Sequence, residues 1–286
     1  MEIGIIGQGY VGTAVKVVFE EFYNVYTYDL NKEICNCSSL QELVSKTDII
    51  FICLPTPMNV DGSCNLDIVR NVIKDINDIA GQLNCHKTIA IKSTVLPGTT
   101  EKINNQSKNI SLLFNPEFLT EADFINDFKN QNRIILGGEN DQLVEIENLY
   151  SVIFPNIPIL KTSSTVAEMI KYFTNTYLAT KVSFANEMKL ICKHLEINYE
   201  KVVEYAKYDM RLGESHWSVP GPDGHYGFGG SCFPKDINAL ISFCKDNNLL
   251  AKTLKGVWET NLEVRPEKDW EQLEGRAVTK NKKVVD

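Results

Sequence analysis

The sequence predicts an α/β protein, in which an N-terminal, doubly wound parallel sheet is followed by a long central helix and an all-α part. Three observations predict this class. Short apolar runs alternate with helical patterns over the first 160 residues, as in parallel sheets that helices cover on both faces. A glycine-rich turn directly follows the first apolar run, and one long helical pattern fills residues 163–195.

The bulk composition is that of an ordinary globular protein of about two domains, with 286 residues, 43% of them hydrophobic and 23% charged. A net charge of −8 argues against nucleic-acid binding, which depends on neutralising phosphates. No apolar run approaches the roughly 20 residues that span a bilayer, and Met1 leads directly into a predicted strand without a signal peptide. The eight scattered cysteines form neither a zinc pattern nor an evident disulfide framework. We therefore expect a cytoplasmic protein with no metal and no membrane or nucleic-acid partner.

The strands of the N-terminal domain, predicted over residues 1–160, are short runs enriched in Ile, Val, Phe and Tyr. They cover residues 3–6, 25–28, 49–54, 88–92, 112–114 and 133–136. Helical patterns between them cover residues 11–21, 66–80 and 141–153.

The second predicted domain, residues 161–265, begins with the long helix. Its apolar residues recur at helical spacing on one face; they are Ile170, Phe173, Tyr177, Phe184, Met188 and Ile191. Further helices are predicted at residues 199–208 and 236–247, separated by a glycine- and proline-rich loop at 212–230. The charged tail, residues 266–286, is expected to continue a helix that starts near Glu263 and frays at its end.

The turn after the first strand reads Gly7-Gln8-Gly9-Tyr10-Val11-Gly12 and fits the G-x-G-x-x-G pattern between a strand and a helix. Gly7 permits the tight turn, Gly9 lets the backbone approach a pyrophosphate, and Gly12 lets the helix pack on the strand. The helix N-terminus then offers free N–H groups to the phosphates. Asp29, at the end of the second strand, would accept hydrogen bonds from ribose hydroxyls and repel a 2′-phosphate. This combination predicts a Rossmann domain that binds NAD rather than NADP.

Lys171 and Asn175 lie four residues apart in the long helix and therefore share a face, which points away from the apolar face. Taken alone, the favoured interpretation of Lys171 is a solvated surface lysine. The alternative is that a partly desolvated lysine acts as general acid or base on a hydroxyl, while Asn175 fixes that hydroxyl or a water.

The most specific segment is Gly227-Phe228-Gly229-Gly230-Ser231-Cys232-Phe233-Pro234-Lys235-Asp236. Its three glycines let the backbone pass close to a ligand, and Pro234 suits the first turn of a helix. Cys232 would then lie at that helix N-terminus with Lys235 close by, and both features favour a thiolate. A catalytic or ligand-contacting cysteine is therefore favoured over a structural one.

Together these segments resemble the UDP-glucose/GDP-mannose dehydrogenase family. Six matches occur in the family's order and extend to about residue 265: residues 7–12, Leu-Pro-Thr-Pro at 54–57, Lys-Ser-Thr-Val at 92–95, Asn-Pro-Glu-Phe-Leu at 115–119, the Lys171/Asn175 helix, and residues 227–236. The segment around Cys232 looks most like the UDP-glucose 6-dehydrogenase branch.

This resemblance implies an NAD domain, a central helix and a helical dimerisation region, and hence a homodimer. It implies oxidation of a nucleotide-sugar C6 alcohol to the carboxylate, as from UDP-glucose to UDP-glucuronate, with two NAD. Cys232 would capture the aldehyde as a thiohemiacetal that becomes a thioester. Lys171 would assist proton removal, Asn175 and Asp236 would orient substrate and water, and Glu117 would activate water.

Other residues acquire roles from the resemblance alone. Thr94 and Glu121 match positions near the nicotinamide and the catalytic water, and Arg211 matches an arginine that reaches the neighbouring subunit's substrate. The remaining cofactor-binding matches are Tyr10, Val11 and Thr56, and the remaining substrate-binding matches are Phe118, Leu119 and Gly229. Without the family context, Glu117, Glu121 and Thr94 are ordinary loop residues, and Arg211 is equally well a surface side chain.

The sequence also departs from the family. Typical members continue into a second nucleotide-binding domain, whereas this sequence stops at residue 286, where residues 281–286 resemble the start of that domain's first strand. We expect part of the substrate-binding surface to be absent; the loop at 212–230, a partner chain or a smaller substrate would compensate. Two other functions therefore stay open: a two-electron β-hydroxyacid-type dehydrogenase that does not need Cys232, and a non-catalytic NAD-binding protein that depends on a partner chain.

Overall fold

A computed structural model describes residues 1–280 and shows two compact units. The first unit comprises Met1–Thr56 and Leu66–Lys171, and the second comprises Pro57–Asn65 and the described chain from Tyr172 onward. Residues 281–286, which the sequence comparison likened to the start of another strand, lie outside the described residues.

The first unit is built on a seven-stranded sheet. Its strands are β1 (Glu2–Ile6), β2 (Asn24–Tyr28), β3 (Ile49–Ile52), β4 (Lys87–Ile91), β5 (Ile110–Phe114), β6 (Ile134–Gly137) and β7 (Ile159–Thr162). They lie in the order β2-β1-β3-β4-β5-β6-β7, and all neighbours are parallel except β5 and β6. The predicted α/β class with a largely parallel sheet is confirmed.

Six helices accompany the sheet: α1 (Tyr10–Phe19), α2 (Leu40–Lys46), α3 (Asp67–Gln82), α4 (Thr99–Asn104), α5 (Phe124–Lys129) and α6 (Asn140–Ile153). The four residues of β3 are fully buried, as expected of a strand covered on both faces. Phe19, Phe51 and Tyr150 meet edge to face in the core, with ring centroids 5.2 to 6.3 Å apart. The sequence did not predict β7, α2, α4 or α5, which have only four to seven residues each.

The strand order places a topological switch beside β1, because the chain moves from β1 to β2 on one side and returns to β3 on the other. In open α/β sheets, ligands bind outside the carboxyl ends of the strands at such a switch. The loop from Gly7 to Gly9 lies at the carboxyl end of β1.

The long helix α7 spans Ser164–His194, close to the predicted bounds. Its exposure pattern corrects one interpretation from sequence: Lys171 is 3% exposed and Asn175 6% exposed, so the solvated surface lysine is wrong. The predicted apolar face is the accessible one, with Phe173 66% and Tyr177 54% exposed. Small and polar residues on the other face, such as Ala179, pack instead.

The second unit contains the rest of α7 with α8 (Tyr199–Ala206), α9 (Phe233–Asp246) and α10 (Lys252–Val264). The predicted tail helix from Glu263 is wrong: α10 ends at Val264, and the chain continues through a short 3-10 turn at Asp269–Gln272. Trp270 is buried there against Trp258, with ring centroids 5.2 Å apart. This contact holds the segment against α10 instead of letting it continue as an α-helix. Within residues 1–280, no helix combines the length and apolarity that crossing a bilayer requires.

Candidate active site

The glycine turn has the geometry of a dinucleotide-binding loop. The Gly7 N–H donates to the Tyr28 carbonyl at 2.9 Å, and Gly9 precedes α1 as its N-cap. A Cβ on Gly12 would lie 1.8 Å from the Gly7 carbonyl oxygen, so only glycine fits between the helix and the turn. A Cβ on Gly9 would meet no atom within 4 Å, which leaves the backbone of the turn accessible. Tyr10 and Val11 form the first residues of α1.

Asp29 follows β2 and lies beside this turn. One carboxylate oxygen accepts from the Gln8 N–H at 2.8 Å, and the other accepts from the Asn31 N–H at 2.9 Å. These bonds hold the carboxylate next to the N-terminus of α1. A tight glycine turn, an accessible helix N-terminus and a neighbouring carboxylate are the features that fit the pyrophosphate and ribose of NAD.

Two predicted motifs meet at the carboxyl ends of β3 and β4. The Leu54 N–H donates to the Ser93 hydroxyl at 2.9 Å, which connects the segment 54–57 with the segment 92–95. Thr56 and Thr94 are both buried, at 4% and 9% exposure. Residues 54–56 and 92–95, which the sequence matched separately, therefore belong to one local arrangement in the first unit.

The next motif, residues 115–119, follows β5 and holds Lys171. The Lys171 ammonium donates to the Glu117 carbonyl at 2.5 Å and lies 3.5 Å from the Glu117 carboxylate. It also lies 5.2 Å from the centroid of the Phe118 ring. The other Glu117 oxygen accepts from the Leu119 N–H at 2.7 Å. An ammonium and a carboxylate are thus paired inside the first unit, and both are group types that serve as general acids or bases. Glu121, further along this loop, is partly buried.

A buried lysine that sequence reasoning did not single out supports this loop. Lys92 is 3% exposed and donates to the Asn115 side-chain oxygen at 3.1 Å. Burial lowers the pKa of Lys92 to about 8, although Cys53 and Glu117 act to raise it. Its position inside the Lys-Ser-Thr-Val match was the available signal.

In the second unit, Asn175 and Asp236 form a buried pair. The Asn175 amide donates to one Asp236 oxygen at 2.6 Å, and the Lys235 ammonium lies 2.5 Å from the other. Burial lowers the pKa of the Lys235 ammonium, but the carboxylate of Asp236 and the thiol of Cys232 raise it, and the net pKa lies above the usual value. Lys235 therefore stays a cation beside Cys232.

Cys232 is the N-cap of α9, with Pro234 in the first turn. Its carbonyl accepts from the Asp236 N–H at 3.0 Å. The thiol is partly exposed and has the positive end of a helix and a lysine nearby, both of which favour a thiolate. The predicted placement of Cys232 at a helix N-terminus beside Lys235 agrees with this geometry.

Arg211 lies apart from these contacts within its unit. Its side chain is 88% exposed and pairs with Asp209, two residues earlier. Within residues 1–280, no group of three or more His, Cys, Asp or Glu side chains is arranged to hold a metal ion.

The fold and the glycine turn define the class of protein as an NAD-binding dehydrogenase. Comparison with family models then gives the family. The UDP-glucose/GDP-mannose dehydrogenase family matches twice, through its NAD binding domain at residues 24–154 and its central domain at residues 165–263. The chain belongs to this family.

Individual relatives agree. A UDP-glucose 6-dehydrogenase of Rickettsia bellii is 32% identical over 92% of this chain and 67% of its own length. The solved UDP-glucose dehydrogenase of Pyrobaculum islandicum is 30% identical, with a TM-score of 0.85, over 96% of this chain and 70% of that one. The chain spans about two thirds of the length of the curated relatives it matches.

One structural likeness reaches outside the family. A 3-hydroxyisobutyrate dehydrogenase of Mycobacterium tuberculosis superposes with a TM-score of 0.71 over 93% of this chain and 94% of that one. Because the identity is 15%, this likeness concerns the fold alone.

Proposed function

We propose that the protein oxidises the C6 alcohol of a nucleotide sugar to the carboxylate, using two NAD per sugar. The observation that carries this proposal is Cys232 at the N-terminus of α9, followed by Lys235 and by Asp236, which is bonded to Asn175. A two-electron dehydrogenase has no use for a nucleophile in this position, whereas a four-electron oxidation needs one to capture the aldehyde.

The proposed reaction removes two hydrides in turn from the same carbon of the sugar. NAD, when bound at the glycine turn, accepts one hydride in each of the two oxidations. The alcohol loses a hydride and a proton to give the aldehyde, and the Cys232 sulfur adds to that carbonyl carbon to give a thiohemiacetal. Loss of a second hydride and a proton gives a thioester. Water then releases the carboxylate and returns the Cys232 thiol.

The residues of the first unit are proposed to handle protons. Lys171 is buried against Glu117 and Phe118 and would assist removal of the hydroxyl proton and stabilise oxyanions later. Glu117 would activate the water that hydrolyses the thioester, with Thr94 and Glu121 near that water. In the second unit, Asn175 and Asp236 would orient the substrate and water. The hydrogen bond between these two side chains holds them in place for this role.

UDP-glucose is the substrate we propose, because the relatives described above are named for it. Phe118, Leu119 and Gly229 would contact the sugar. The residues that would select the base and the nucleotide are not assigned by this proposal, since the chain spans about two thirds of its curated relatives.

The test is NADH formation with UDP-glucose, UDP-N-acetylglucosamine and GDP-mannose, with Cys232→Ala measured in parallel. We expect two NADH per UDP-glucose in the wild type and loss of the second oxidation in Cys232→Ala. Full activity of Cys232→Ala on a small β-hydroxyacid would instead identify a two-electron dehydrogenase. Tight NAD binding by calorimetry, without turnover of any nucleotide sugar, would identify a non-catalytic binding protein.

We also propose a homodimer formed through α7. The support is a row of exposed apolar side chains along one face of this helix and just past its end, and contiguous apolar surface of this kind marks protein–protein contact sites. The row comprises Val166, Met169, Phe173, Tyr177, Phe184, Ile191 and Leu195. Arg211, which is almost fully exposed, would reach the substrate of the second subunit. Mixing inactive Arg211→Ala and inactive Cys232→Ala proteins would then restore activity; no restoration would contradict the shared site.

A cytoplasmic location is part of the proposal. None of the eight cysteines, all of which lie within the described residues, is in a disulfide bond, which suits a reducing compartment. Cell fractionation tests this location.

A further inference from the structure

A buried guanidinium in the second unit holds three parts of the chain together. Arg265 follows α10 and is 3% exposed. It donates to the Asp269 carboxylate at 2.6 Å and to the Tyr226 carbonyl at 3.3 Å, and it pairs with the Asp223 carboxylate at 2.8 Å. Burial lowers the pKa of Arg265, but the two carboxylates raise it to a net value above the usual one. The fixed fork of an arginine suits several acceptors at once.

Asp269 extends this contact to the cysteine loop. One of its oxygens accepts from Arg265, and the other accepts from the Gly230 N–H at 3.1 Å. Gly230 is two residues before Cys232. A single carboxylate therefore connects the buried guanidinium to the backbone that leads into the α9 N-terminus.

The preceding residues of the loop are held from two helices. The Asn261 side chain accepts from the Phe228 N–H at 2.7 Å and donates to the Phe228 carbonyl at 3.0 Å, and the Asn186 oxygen accepts from the Gly227 N–H at 3.1 Å. A Cβ on Gly229 would lie 2.3 Å from an Arg265 nitrogen. The loop thus passes over these side chains at a distance that only glycine permits.

We propose that Arg265 and Asp269 form a positioning pair for Cys232. They hold the glycine loop so that the Cys232 sulfur lies at the N-terminus of α9. The inference deepens the proposed function and rests on it for the catalytic consequence. The pair touches neither substrate nor cofactor in this role; it acts through the Gly230 N–H.

Position matters because the thiolate gains from the α9 dipole and from Lys235 only at short range, since helix-end effects fall off within one turn. Near-attack geometry is equally demanding, as a 1 Å misplacement can cost on the order of 100-fold in rate. Asp223, which pairs with the same guanidinium, lies in a turn. This turn is closed by the Gly221 N–H, which donates to the His225 carbonyl at 2.8 Å. The turn and the cysteine loop are therefore coupled through Arg265.

The first experiment needs no substrate. Alkylation of Cys232 by iodoacetamide is followed by peptide mass mapping at neutral pH, with Cys85, a partly exposed cysteine of the first unit, as internal reference. The variants are Asp269→Asn, Arg265→Lys and Asp223→Asn. The matched control is Asp78→Asn, which breaks an exposed acid–base pair with Lys74 in the first unit.

We expect Asp269→Asn and Arg265→Lys to slow Cys232 alkylation about tenfold, because a misplaced sulfur loses thiolate population, and to leave Cys85 unchanged. Arg265→Lys keeps the positive charge but loses the planar guanidinium. If Arg265 acted only through its charge, Cys232 in this variant would be alkylated at the wild-type rate. An unchanged Cys232 rate, or a rise at both cysteines, overturns the proposal. If Asp269→Asn does not fold, Asp223→Asn takes its place, because the Asp223 side chain is half-exposed. Slower alkylation of Cys232 is then expected of Asp223→Asn, and an unchanged rate overturns the proposal.

The second experiment measures turnover of UDP-glucose by the same variants. We expect the second oxidation to fall by one to two orders of magnitude, with aldehyde released, while NAD affinity by calorimetry stays at the wild-type value. If the wild type turns over no nucleotide sugar, the proposed function fails, but the alkylation result still decides the positioning role. Equal losses in both oxidations would contradict a role specific to Cys232.

Discussion

Lys92 offers the clearest energetic test, because its charge is buried in the first unit. The perturbation is Lys92→Met, which removes the ammonium and keeps a stem of similar length. The Asn115 oxygen that Lys92 contacts also accepts from the Tyr150 hydroxyl at 2.5 Å. In the variant, the Asn115 oxygen therefore still accepts a hydrogen bond from the Tyr150 hydroxyl.

The magnitude follows from linkage. Burial depresses the pKa of Lys92 from 10.5 to about 8 in the folded protein. A depressed lysine contributes stability that is present above the unfolded pKa and lost as the pH falls through the folded pKa. Since one pKa unit corresponds to about 1.4 kcal/mol, the wild type should lose about 3 kcal/mol of unfolding free energy relative to Lys92→Met between pH 10.5 and pH 8.

The assay is urea denaturation followed by circular dichroism, for both proteins at several pH values from 7 to 10.5. Subtracting the two curves removes the contributions of titrating groups that do not interact with Lys92. Lys74→Met is the control, because Lys74 is 71% exposed in the same unit. A difference that stays flat, or that moves against the wild type as the pH rises, refutes the reasoning.

Three other predictions follow from the described contacts. Gly12→Ala should lower both stability and NAD affinity, because its Cβ would lie 1.8 Å from the Gly7 oxygen, whereas Gly9→Ala should lower NAD affinity alone; melting curves and calorimetry distinguish them. Asp29→Asn should weaken NAD binding about 10- to 100-fold, which corresponds to the loss of hydrogen bonds to a charged group. The same variant should reduce the preference for NAD over NADP. Phe173→Lys should convert the proposed dimer to a monomer in light scattering, while an unchanged mass would contradict that interface.

The sheet and the cofactor turn could be predicted because their signals are local. Buried parallel strands are continuous apolar runs, and the glycine spacing at residues 7–12 reflects close contacts within the same few residues. Short elements such as α4 carry too few residues for a helical period, so the sequence could not reveal them.

The interpretation of Lys171 as a surface lysine was wrong for a physical reason. Periodicity locates an apolar face but does not say what covers it, and here the aromatic face is the accessible one. The buried face carries Glu168, which accepts from the Gly98 and Thr100 N–H groups at 2.6 and 2.8 Å. Glu168 lies three residues before Lys171, so helix-face arithmetic from Lys171 and Asn175 would have found it.

Contacts between distant segments left no local signal. Asp269 and Gly230 are 39 residues apart, and nothing in either neighbourhood predicts that a carboxylate holds the cysteine loop. The motif gave Cys232 itself, but only the three-dimensional arrangement gave the residues that hold its backbone in place.

The most direct test of the central claim is the covalent mass of Cys232 during turnover. Glu117→Gln should slow thioester hydrolysis, since Glu117 is proposed to activate the water. After addition of NAD and UDP-glucose, we expect a UDP-glucuronyl adduct on the Cys232 peptide of Glu117→Gln. Covalent capture would be contradicted if Glu117→Gln formed two NADH per sugar without an adduct and the double variant Glu117→Gln/Cys232→Ala gave the same yield.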